Sequence, residues 1–566
     1  MTYAAAVATD AHAEVLRVAA DRFFDRQNRY DPLNATLLGL TEYDALLPDL
    51  RPDADAAAVA EFRAVAEQAR ALPTAELSDA GRTDAAVLAW MADAAADDAQ
   101  HVLWEANASA AGYVSPLALV FQAVPATPLG DDAARSGLLQ RLSGLATHFD
   151  TLGSRWRDAA DVGRVPTAAG VAQAVTQLRA YLDRPLADDV LLPAGLAGHR
   201  DRAAAVVEAA VRPAMRRLLA TLESDLLPVA RGDDAVGIGA VPGGEAGYRA
   251  AVARHTSLPL TPEQTHRTGL EVLERLADDW SAIGREALGI TDPAEVRAAL
   301  RADPALRFES REQIVQTVSE ALARAEAAAP RMLPDFGIGP CTIEEIDPEE
   351  AESAALAYYR PPSDDGSRRG AHCVLTVDPT ERFRFEYEAL AFHESVPGHH
   401  LSLASAQTLT HLHPYRRHVD AQLCAYVEGW GLYAERLADE FGLYSSPVAR
   451  LGMVSFDALR ACRLVVDTGM HAFGWSRGQA VEFMRTHTAT PAANVRNEID
   501  RYIGWPGQAL AYMTGKREIV RLREQARDRL GDRFDVVGFH GAVLGEGPLP
   551  LGVLGDVVDR WVTSVA

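Results

Sequence analysis

The sequence predicts a mainly α-helical protein in two lobes, with a small β-sheet beside a central cleft. Three observations carry this expectation. Alanine, leucine and arginine dominate most of the chain, with apolar residues recurring three and four apart; a glycine-rich break falls at residues 231–247; and only one stretch, about 341–378, turns to short β-branched runs. With 566 residues, 48% of them hydrophobic, the chain is long enough to bury a large core.

Residues 1–240 are expected to form an N-terminal helical lobe. Between Ala203 and Leu219 the apolar residues share one helical face. Residues 231–247 then read RGDDAVGIGAVPGGEAG. The glycines at 237, 239 and 243 do not make GxGxxG, no lysine follows and no βαβ unit surrounds them. A linker or lobe boundary is expected there, not a phosphate loop. Residues 241–566 are the expected metal-binding lobe. Thr261-Pro262-Glu263-Gln264 opens a helix whose face carries Leu270, Leu273, Leu276, Trp280 and Ile283, and Ser310 with Gln313 caps the next. Cys341–Ile346 and His372–Val377, separated by the loop Pro361–Gly370, predict two or three strands before helices resume.

Composition narrows the function. Lys+Arg is 55 against Asp+Glu 79, a net charge of −24, which disfavours nucleic acid and anionic membrane as partners. Lys516 is the only lysine, so Schiff-base chemistry has one candidate. Four cysteines, none in a CxxC pair, argue against a disulfide scaffold or a cysteine zinc site. The first residues lack a signal-peptide pattern, and no apolar run is long enough to span a bilayer. A cytoplasmic location is expected.

The densest polar constellation is Ala391-Phe-His-Glu-Ser-Val-Pro-Gly-His-His-Leu401. Neutral imidazoles bind zinc, and a carboxylate outside the ligand set can take a proton from water. The familiar HExxH spacing is absent, because Pro397 stands where the second histidine belongs. In an unbroken helix His400 faces the same way as His393 to within roughly 20°, but about 10 Å further along the axis, and His399 faces away. Neither reaches a shared ion on a regular helix. Pro397-Gly398 resolves this by kinking or bulging the chain, which favours His399 and leaves His400 as the alternative. The best third ligand is Glu428 in Ala425-Tyr-Val-Glu-Gly-Trp-Gly-Leu-Tyr-Ala-Glu435. It stands among apolar residues, whereas Glu435, on the same face, opens a charged run.

His393-Glu-Ser-Val-Pro-Gly-His-His400, Glu428-Gly-Trp-Gly-Leu-Tyr-Ala-Glu435 and Arg501-Tyr-Ile-Gly-Trp-Pro-Gly-Gln-Ala-Leu-Ala-Tyr512 resemble the bacterial domain-of-unknown-function 885 family. Tyr30–Gly39 and Gly547–Leu551 extend the resemblance over nearly the whole chain. That family looks like a distant relative of the gluzincin peptidases, helical proteins with a deep channel and zinc held by His, His and Glu. The resemblance implies a gluzincin-like architecture, with His393, His399 and Glu428 as ligands and Glu394 as general base; the longer gap between the histidines departs from the pattern. It also implies Tyr512 as the donor to a tetrahedral oxyanion. His471, four residues after Asp467, is the second candidate for that role. Arg368, with Arg369, and Arg501 are candidates for a peptide carboxylate, because a guanidinium fork binds carboxylates bidentately.

The expected function is therefore a zinc-dependent peptidase of short peptides, with manganese or cobalt as other ions such a ligand set accepts. The alternatives are a zinc hydrolase of a non-peptide amide or ester, and a non-catalytic peptide-binding protein on the same fold. A peptide or small molecule is the expected partner. The sequence does not specify an oligomeric state.

Overall fold

The computed structural model describes residues 3–109, 115–347, 355–363, 368–417 and 421–566. Among the described residues helices dominate, with one small sheet, and the protein is mainly α. The chain divides into two compact units. The first comprises Met1–Ala251, Gly469–Ala480 and Asn497–Pro506; the second comprises Val252–Thr468, Val481–Arg496 and Gly507–Ala566. The sequence placed a lobe boundary after residue 240, and it did not anticipate the two late segments that join the first unit.

The first unit is built around the helix Asp132–Asp161, which buries Leu138, Leu142, Phe149 and Trp156 in one continuous apolar core. The stretch from Ala203 buries Val207, Val211, Ala214, Met215 and Leu218 in the same core, as its three-and-four spacing predicts. Residues 231–247 lie just before the end of this unit's main segment at Ala251, near the expected boundary, but inside the unit. Short turns precede the helix Gly244–Thr256, with Ile238 buried and the Arg231 guanidinium donating to the Ala235 and Gly237 carbonyls. The glycine there serves close packing: a Cβ on Gly237 would lie 1.8 Å from the Met470 carbonyl oxygen.

In the second unit, Thr261 and Gln264 complete the predicted capping box of the helix Pro262–Leu288. Its buried face runs through Thr265, Gly269, Val272, Leu276, Trp280 and Ile283, while Leu270 is exposed. The sheet has three strands, β1 (Thr342–Glu345), β2 (Ala357–Arg360) and β3 (Ala371–Val374), in the order β1-β3-β2. β1 runs parallel to β3 with Thr342 opposite Ala371, and β2 runs antiparallel with Ala357 opposite Val374. Strand alternation sorts the side chains of β3. Ala371 and Cys373 join Ile346 and Leu375 in a small apolar cluster, so His372 and its cross-strand neighbour Tyr359 share the opposite face. Three helices follow and carry the site: Tyr387–Glu394, His399–Thr408 and Cys424–Glu440. The helix Ala511–Leu530 packs along the last of these.

Candidate metal centre

The helix Tyr387–Glu394 ends on the pair His393-Glu394. Ser395 leaves helical space at φ −104° and ψ −123°, the Val396–Pro397 peptide is cis, and the next helix begins at His399. The chain therefore stops and restarts; a bulged but continuous helix, one of the two forms expected, is not what forms. Gly398 makes the restart possible, because a Cβ there would lie 1.9 Å from the His393 carbonyl oxygen. The indole N–H of Trp430 donates to the Pro397 carbonyl at 2.8 Å and ties the break to the helix Cys424–Glu440.

The break sets the His399 ring against that of His393, with centroids 4.6 Å apart and planes at 83°. Glu428 Oε2 lies 3.4 Å from His393 Nε2 and 3.5 Å from His399 Nε2, and the three donor atoms fall within 4.8 Å of one another. Ligands about 2.0–2.1 Å from a tetrahedral zinc stand about 3.3–3.4 Å apart, so both edges shared with Glu428 have the length an ion requires. The donor set, two imidazoles and one carboxylate, suits the same ion. Gly431 leaves room for the first ring, since a Cβ there would meet His393 Nε2 at 2.8 Å. His400 turns elsewhere. Its Nδ1 is 3.0 Å from the Tyr359 hydroxyl, and its Nε2 is 2.9 Å from the Gly339 carbonyl oxygen.

Glu435 proves to belong to this cluster. It is fully buried, with Oε1 2.8 Å from His393 Nδ1, so it fixes the ring orientation that points Nε2 at Glu428. Burial opposes a charge on His393, yet the carboxylates of Glu428 and Glu435 outweigh it and hold the imidazole up at about 9. Burial likewise opposes a charge on Glu428, but His393 and His399 keep its carboxyl well below the usual range. The cluster favours positive charge, and a metal ion placed there would compete with the proton for the same nitrogen. Glu435→Gln preserves shape and removes the outer carboxylate. It is expected to weaken zinc binding by about 10–100-fold in chelator competition, with the circular dichroism spectrum unchanged.

Glu394 follows the first histidine directly and is 7% exposed. Among the described residues its side chain makes no hydrogen bond or ion pair. It stands beside a prospective ligand, where a carboxylate outside the ligand set can act on a water molecule at the ion. Glu386, just before the same helix, is buried without a side-chain partner among the described residues, and burial pushes its carboxyl up to about 8 against the pull of Arg307, Arg460 and Arg382. A carboxyl raised on folding stabilises the protein fully below its unfolded value of about 4.3 and loses that contribution as pH rises through 8. Glu386→Gln is therefore expected to flatten the fall in melting temperature between pH 5 and pH 8.

The other expected site residues have varied surroundings. Tyr512 is half-buried on the helix Ala511–Leu530, with its hydroxyl 3.5 Å from Gln508 Nε2 and the Arg463 guanidinium 4.2 Å over its ring. His471 lies in the first unit, where Nδ1 accepts the Ile238 amide at 3.0 Å and Nε2 faces the Tyr502 carbonyl at 3.1 Å. Both ring nitrogens are thus held by main chain, while Asp467 accepts the Gly507 amide. Arg501 also lies in the first unit and pairs with Glu498. Arg368 is exposed and donates to the Pro361 carbonyl; Arg369 is exposed beside it. Lys516 is buried against Asp457, which also binds Arg436, so its ammonium serves an ion-pair network.

The sequence matches, over residues 32–558, the family described as bacterial protein of unknown function, DUF885. The chain belongs to this family. Its fold is similar to a solved structure described as the putative lipoprotein from Colwellia psychrerythraea, at 25% identity and a TM-score of 0.86, covering 98% of this chain and 99% of that one. A second, described as a putative lipoprotein of unknown function from Shewanella oneidensis, aligns at 17% identity and a TM-score of 0.75, covering 96% and 99%. No curated protein matches this chain.

Proposed function

We propose that this protein is a zinc-dependent hydrolase whose substrates are short peptides. One observation carries the reading: two buried imidazoles each approach one carboxylate oxygen at the edge length of a tetrahedral zinc site, with a glutamate directly after the first histidine that makes no hydrogen bond or ion pair among the described residues. Zinc, when bound, supplies Lewis acidity toward a carbonyl and acidifies water. His393, His399 and Glu428 would hold it, and Glu435 would keep the His393 ring in register. Glu394 would take a proton from the attacking water and return it to the leaving amine. Tyr512, on a helix packed along that of Glu428, is the donor proposed for the developing oxyanion. The gluzincin-like architecture belongs to the same proposal.

A peptide-library digest read by mass spectrometry tests the reading. Cleavage that stops with chelator and returns with zinc supports it; full cleavage in chelator removes it. A cytoplasmic location is proposed from the sequence, and fractionation of the producing cells tests it. The names of the two solved relatives point instead to a lipoprotein, which recovery in the membrane fraction would support.

A further inference from the structure

Several buried or half-buried cations of the second unit have visible counter-charges. Arg436 lies between Asp279 and Asp457, Lys516 binds Asp457, and Arg523 binds Glu440. Arg460 differs. It is 6% exposed, its Nε and Nη1 are buried without a hydrogen-bond partner, and it makes no ion pair among the described residues. Its guanidinium lies 4.5 Å over the Phe456 ring and 5.9 Å from the Tyr512 ring, and Arg463, one turn on, lies over Tyr512. Ring faces attract a cation but do not neutralise it. Glu386 is within electrostatic reach without touching, and burial keeps it protonated up to about pH 8. A buried guanidinium with no ion pair among the described residues is expensive to maintain.

The position also matters. Arg450 meets Asp439 and Arg436 meets Asp457, so the helix Pro447–Phe473 runs antiparallel to Cys424–Glu440. Passing from Asp457 to Arg460 and Arg463 therefore leads toward the Glu428 end of the ligand helix. We infer that Arg460, flanked by Phe456, Tyr512 and Arg463, is an anion-binding subsite that takes the free carboxylate of the substrate processed at the metal centre. The guanidinium fork matches a carboxylate bidentately, and the aromatic walls select against bulky hydrated anions. Substrates would then be short peptides with a free C-terminal acid. The word substrate rests on the hydrolase reading; the anion site does not.

Calorimetry with 4-phenylbutyrate and with its amide, which offer no peptide bond to cleave, separates the two ideas. The acid is expected to bind the full-length protein about tenfold more tightly than the amide, to keep that advantage in chelator, and to lose it in Arg460→Gln. Equal binding of acid and amide overturns the proposal. So does a preference that vanishes with chelator but survives Arg460→Gln, which would place the carboxylate on the metal. Inorganic phosphate binding more tightly than the acid overturns it as well. Arg460→Lys keeps the charge without the fork and is expected to weaken the acid several-fold; it supplies the comparison should the glutamine variant not fold, and unchanged affinity counts against the subsite. Acid binding that behaves as expected in a protein that cleaves no peptide leaves the subsite standing and removes the hydrolase.

Discussion

With Glu394 replaced by glutamine, peptide cleavage is expected to fall by about 10²–10⁴-fold in kcat while the bound metal stays near one equivalent. The amide keeps the size and hydrogen-bonding shape of the side chain but cannot carry the proton. Because Glu394 contacts none of the three ligand side chains by hydrogen bond or ion pair, its replacement leaves the ion's own shell intact. Metal analysis beside steady-state kinetics reads both halves. Full activity in the variant would move the proton-transfer role to another group. Loss of metal along with activity would make Glu394 a ligand.

The second large effect separates two adjacent histidines. His399→Ala is expected to weaken zinc binding by more than the about 10–100-fold that loss of an outer-sphere group costs, because it deletes a first-sphere donor. His400→Ala leaves metal affinity in place and instead strips hydrogen bonds from the Tyr359 hydroxyl and the Gly339 carbonyl, at about 1–3 kcal/mol of stability. Chelator competition and thermal melts on the pair give opposite patterns. Reversed patterns would mean that His400, and not His399, faces the ion.

Much of this centre can be read from the order of residues. Proline and glycine between the histidines announce a break, and a carboxylate among Val427, Trp430 and Leu432 announces a partner. Glu435 was the harder case. Its seven-residue offset from Glu428 placed it on the right face, but Arg436 beside it suggested a solvated pair; in the fold Arg436 turns to Asp457 and Asp279, leaving Glu435 to His393. The glycines of 231–247 depend on surroundings in the same way. Glycine in a sequence looks the same whether it loosens a connection or admits a neighbouring carbonyl, and only the packing on Met470 distinguishes them. The sequence leaves two or three strands open, because Ala357–Arg360 is four residues long and gains its meaning from pairing with β3. Arg460 is not legible in the sequence at all, since the absence of an ion pair among the described residues is a property of the surroundings.

In an uninterrupted helix, linear separation dictates angular placement, and pattern searches for paired histidines exploit that identity. Here the two imidazoles meet across a terminus, held by an indole clamp and a residue without a side chain, so their distance along the chain no longer encodes their distance in space. Other proteins in which the same three donors converge can therefore differ in the count of intervening residues, and a census by fixed-interval motif will pass over them while a search by side-chain triplet will not.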